Sequence, residues 1–107
     1  MLKLEDYKLK HDRTYTPMDQ WGYDHWSLLD YLESSAVDWD GQIDQSLMLD
    51  RDWVCMEDMI AANLIKVAEW SNGPTVVFLT GLGWEVAGRL RRHKAAGESY
   101  ETFQHNT

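Results

Sequence analysis

The feature that most constrains this chain is a pair of strand-type runs, "LIKVAEW" (64–70) and "TVVFL" (75–79), held apart by Ser71, Asn72, Gly73 and Pro74. Asn-Gly accepts the positive φ angles of a tight hairpin turn, and the runs on either side favour extended backbone. An antiparallel hairpin is therefore predicted between residues 65 and 80.

Both flanks read as helix. "DHWSLLDYLESSAV" (24–37) repeats Trp26, Leu29, Leu32 and Ala36 at three- and four-residue steps, with Asp24 placed to cap its start. "DWDGQ" breaks that helix. Ile43 stands as an isolated apolar residue, and Asp44 offers the N-cap of a short helix, "QSLMLD" (45–50). Asp52 offers the cap of the next, with Met56, Met59 and Ile60 inward and Asn63 suited to a left-handed C-terminal position. Beyond the hairpin, Thr80 caps "GLGWEVAGRLRRHKA" (81–95), whose Leu82, Val86 and Leu90 fall four apart. Its bases gather at the C-terminal end, where the helix dipole favours them.

The predicted order is helix, short helix, helix, β-hairpin, helix, in one α+β domain over residues 21–94. A polar arm (1–20) precedes it, and a flexible tail (95–107) follows. Met56, Met59, Ile60, Leu64, Val77, Leu79, Val86 and Leu90 are expected in a single core. With 107 residues, 44% apolar content and six Trp, the chain can bury such a core without staples.

Two motifs carry a family resemblance. "MEDMIAANLI" (56–65) is similar to the end of a recognition helix, L-x-x-L-x-x-A-G-L-I, with Asn63 in place of Gly. "FLTGLGWEVAGRL" (78–90) is similar to the wing exit L-T-x-x-G-x-x-V-A-x-x-L. With the Asn-Gly turn between them, the pair resembles the winged helix-turn-helix domains of small bacterial or phage regulators of the MarR and PadR type, over roughly residues 24–94. The resemblance implies a winged-helix fold, and it implies DNA binding through the helix that Asp52 opens. In such regulators the helix after the wing commonly belongs to a dimer interface, so a homodimer is implied as well.

Charge points elsewhere. The net charge is −8, and residues 14–88 hold thirteen acids against two bases, Arg51 and Lys66. A DNA-reading helix presents Ser, Thr, Gln, Asn, Arg or Lys to bases and phosphates. Here the matching face carries Asp52, Trp53, Glu57 and Asp58, and the wing carries Glu69 and Trp70. These six residues form the candidate partner-binding set: carboxylates for a basic or nucleic-acid-binding protein, as in a DNA mimic, and Trp rings as interface anchors. The bases sit at the ends: Lys8, Lys10 and Arg13 in the arm, and Arg89, Arg91, Arg92 and Lys94 in the last helix. They are the alternative contact for nucleic acid or for a second copy of the chain.

Chemistry has little to work with. The four His are scattered, no C-x-x-C occurs, and "GLG" (81–83) lacks the rest of a dinucleotide fingerprint. "DWDGQID" (38–44) lacks the later Glu of a calcium loop. Acids beside Cys55, the one cysteine, blunt a thiolate nucleophile. The expectation is a non-catalytic protein without cofactor or metal. A single cysteine, no leader-like start and no apolar run of about 18 residues suit the cytoplasm rather than a membrane. The expected function is an acidic interaction module, an accessory regulator or inhibitor. The alternative is a DNA-binding transcriptional regulator.

Overall fold

The computed structural model describes residues 14–43, 48–69 and 75–105. They form a single α+β domain with three α-helices and a three-stranded antiparallel sheet. Helix α1 is Tyr23–Asp38 and strand β1 is Gln42–Ile43. Helix α2 is Asp50–Ala61. Strands β2 (Ile65–Glu69) and β3 (Thr75–Leu79) and helix α3 (Gly81–Ala95) follow. Single turns of 3-10 helix precede α1 (Met18–Gln20) and follow α3 (Tyr100–Thr102). Among the described residues no helix is long and apolar enough to cross a membrane.

Trp26, Leu29 and Leu32 of α1 are buried on one stripe, as their spacing requires. The helix starts one residue before Asp24, after N-cap Gly22, so Asp24 lies inside the first turn and complements the dipole instead of capping. At the other end Ser35 O accepts from both Trp39 N and Gly41 N. Asp40 (φ 54°) and Gly41 (φ 82°) then reverse the chain into β1. A Cβ on Gly41 would lie 2.4 Å from Val77 O, so only glycine fits against β3 there. Ile43, an isolated apolar residue in the sequence, proves to be a buried strand residue aligned with Thr75.

Half of the predicted short helix over 45–50 lies outside the described residues; Met48 and Leu49 are not helical, and Asp50 opens α2. Leu49 is the N-cap of α2 and has no side-chain acceptor. Asp52 therefore works from the third helical position, its carboxylate accepting the Leu49 N–H at 2.9 Å. The C-terminus follows its sequence signal. Asn63 adopts φ 64°, with Asn63 N bonded to Ile60 O and Leu64 N to Met59 O, the paired bonds of a Schellman motif.

β2 and β3 run antiparallel in register from Ile65 opposite Leu79 to Glu69 opposite Thr75. The turn between them lies outside the described residues. β3 is the central strand, flanked by β2 and β1. Thr80 caps α3 as predicted, its Oγ1 accepting from Gly83 N at 2.9 Å while donating to Asn63 O at 2.6 Å. One side chain thus joins the start of α3 to the end of α2.

Of the predicted core, Met56, Met59, Leu64, Val77, Leu79, Val86 and Leu90 are buried, and Ile60 packs half-buried against them. Leu82, one turn before Val86 on the same helix, is 42% exposed. Contacts reach beyond residues 21–94 at both ends. Phe103, in the tail expected to be flexible, is buried edge-to-face on Trp26 with ring centroids 4.7 Å apart. Arg89 Nη1 holds His105 O at 2.7 Å, and His93 Nε2 lies 2.7 Å from Ser99 O. At the other end Thr16 and Trp21 tie the end of the arm to the body. The tail is held by burial of an aromatic ring, which offsets its loss of chain entropy, and the arm by the backbone bonds of Thr16.

Candidate functional site

The acidic helix does not present the face its sequence suggests. Glu57 and Asp58 are each 1% exposed, because α2 packs on α1 along one side and on β2 along another. A carboxylate so placed must be satisfied locally. Asp58 Oδ1 accepts Thr16 N–H at 3.0 Å, and Oδ2 lies 2.7 Å from His25 Nε2. The imidazole is in turn stacked on Trp21, with centroids 4.9 Å apart and planes 10° from parallel, and Trp21 Nε1 donates to Thr16 O at 2.8 Å. Asp58 therefore belongs to an internal joint between the arm, α1 and α2.

The remaining members of the candidate set separate. Asp52 is half-buried and lines a hollow of about 300 Å³ with Ser27, Leu28, Tyr31 and Met48. Trp53 packs half-buried against the core. Glu69 ends β2; its side chain and all of Trp70 lie outside the described residues. The six residues consequently do not make one described surface.

The basic cluster is largely engaged within the protein. Arg89 bonds Glu85 Oε1 at 2.8 Å as well as His105 O. Arg91 pairs with Glu33 of α1, whose carboxylate is nearly buried. Lys94 Nζ sits 4.3 Å over the Tyr100 ring. Arg92 is exposed and makes no side-chain bond among the described residues. Lys8, Lys10 and Arg13 lie outside them. Beside Lys94, the Tyr100 hydroxyl donates to Asp30 of α1. Partial burial first, then the bond to Asp30 and the charge of its carboxylate, push this phenol up to about 12.

The sequence reading missed a third region. A hollow of about 370 Å³ is lined by Ala36, Asp40, Gly41, Val77, Phe78, Leu79 and Trp84. Phe78 and Trp84 are 51% and 43% exposed on its rim. Val37 and Trp39, exposed at 67% and 70%, flank Ala36 and Asp40 in the chain. Four large apolar side chains thus stand in water at the hollow or beside its lining in the chain. The signal was present in part: in "TVVFL" Phe78 alternates outward from buried Val77 and Leu79. That Asp40 and Gly41 close the same hollow was not legible, because the contact joins distant parts of the chain.

Three carboxylates on the exposed body, Asp38, Asp40 and Asp50, make no side-chain hydrogen bond or ion pair among the described residues. Among those residues no three His, Cys, Asp or Glu side chains come together as a metal site. No family model matches the chain, and neither a curated protein nor a solved structure matches it.

Proposed function

We propose that the protein is a non-catalytic, acidic interaction module of winged-helix-like build that binds a basic or nucleic-acid-binding protein as an accessory regulator or inhibitor. One observation supports this reading: three of the four C-terminal bases are engaged in contacts within the protein, while Asp38, Asp40 and Asp50 make no side-chain bond among the described residues. Net attraction for phosphate needs free cations, and specific DNA complexes rest on several of them. Free carboxylates beside exposed aromatic side chains suit a positively charged protein surface instead. The winged-helix part of the reading is supported by element order and by the sheet order β1-β3-β2, in which a short strand after the first helix joins the hairpin.

The second reading, a DNA-binding transcriptional regulator, draws on Arg92, an exposed cation of α3 with no side-chain bond among the described residues. Titrating a fluorescent DNA duplex and a fluorescent Lys/Arg-rich peptide at near-physiological salt separates the two. The module binds the peptide and leaves the duplex free. Tight, sequence-selective duplex binding that Arg92→Ala abolishes would reverse the order of the readings.

A further inference from the structure

We infer that the outer edge of β3 beyond β1 is a strand-addition site for an extended, basic segment of a partner protein, seated in the hollow between Phe78, Trp84 and Asp40. The inference rests on the interaction-module reading and gives it a surface and a peptide chemistry.

The backbone supplies the first argument. β1 is only two residues long and covers Thr75 and Val76. Its line ends where Gly41 O accepts Val77 N–H at 2.8 Å, after which the chain departs through Asp40. In an antiparallel strand, residues two apart turn N–H and C=O to the same neighbour. Val77 faces β1, so Leu79 faces the same line, where β1 no longer runs. The bond from Thr80 N to Leu64 O, on the β2 side, confirms the alternation. Leu79 thus offers an N–H and a C=O at the floor of the hollow, with no neighbouring strand among the described residues.

The side chains supply the second. Two backbone bonds give register but little affinity, and strand addition draws its strength from pockets for alternate side chains. The hollow of about 370 Å³ has Phe78 and Trp84 to grip one apolar residue. Charge selects the partner. The lining holds Asp40 and no Lys, Arg or His, and exposed Asp38 stands two residues away in the chain. Glu85, next to Trp84, is already held by Arg89. The segment that fits alternates an apolar residue with Lys or Arg.

The test uses the whole protein and a fluorescein-labelled peptide of alternating Val and Lys, followed by anisotropy. A second peptide, N-methylated at every other residue, cannot complete the ladder. We expect saturable binding of the first, at least tenfold weaker for the second and for Phe78→Ala/Trp84→Ala. Both substituted side chains are exposed, so that variant keeps the fold, which circular dichroism verifies. Bound peptide should also slow exchange of the Leu79 amide. Absence of binding, equal binding of both peptides, or an unchanged Leu79 amide would each overturn the site. Binding that survives Phe78→Ala/Trp84→Ala but is lost in Asp50→Lys would remove this site and leave the module reading standing.

Discussion

Asp58 and His25 meet inside the protein, with Oδ2 and Nε2 2.7 Å apart and the aspartate side chain 1% exposed. The pair joins α2 to α1, and through Thr16 it joins both to the arm. An acid that looks like a surface contact in the sequence is therefore a structural joint. Asp58→Ala removes the partner of Thr16 N–H and of the His25 ring and should cost about 2–4 kcal/mol. Asp58→Asn, which keeps shape and an acceptor, should cost about 1–2 kcal/mol. Urea unfolding followed by circular dichroism measures both, and wild-type midpoints for the pair would refute the joint. Glu57→Lys with Asp58→Lys should unfold the domain instead of tuning its binding.

Gly83 is the second junction. A Cβ there would fall 2.0 Å from Leu64 O, while one on Gly81 meets nothing within 4 Å. Gly83→Ala must push the start of α3 away from Leu64 and should lose at least about 1–3 kcal/mol. Gly81→Ala, at the first helical position, should be neutral or gain about 0.4–1 kcal/mol by restricting the unfolded chain. Thermal melts that rank the two variants the other way would contradict the packing described.

Leu90, 1% exposed on the inner face of α3, tests the core itself. Leu90→Ala should cost about 2–5 kcal/mol, the range for a well-packed leucine. Leu82→Ala, on an exposed turn of the same helix, should fall within about 0.5 kcal/mol of wild type. Equal losses at the two positions would show that the inward face is misassigned.

Tyr100 sets a pH signature for the docked tail. Its phenol is pushed up to about 12 in the fold, against 10.0 ordinarily. Folding thus favours the protonated form, and the contribution is complete below pH 10 and fades as pH rises from 10 toward 12. Tyr100→Phe has no phenol to ionise and should lack that part of the alkaline loss. Thermal melts between pH 8 and pH 11 compare the two, and identical slopes would discount the bond to Asp30.

Local sequence signals specify the three helices, the two longer strands and most of the core, but not β1. Strand-type runs marked β2 and β3, helical spacing marked the inward stripes of Trp26, Leu29 and Leu32 and of Val86 and Leu90, and Thr80 and Asn63 marked helix ends through local bonds. These signals are local, so each stretch carries its own information. Tertiary structure alone decided which charges stay in water. Periodicity shows that α2 has an apolar stripe, but not that α1 and β2 cover it from two sides and draw Glu57 and Asp58 inside. Arg91 meets Glu33 across 58 positions of chain, and Phe103 reaches Trp26 from a segment with no helical pattern. A charged residue reads the same in sequence whether water or a distant partner solvates it; only the packed fold determines which one does.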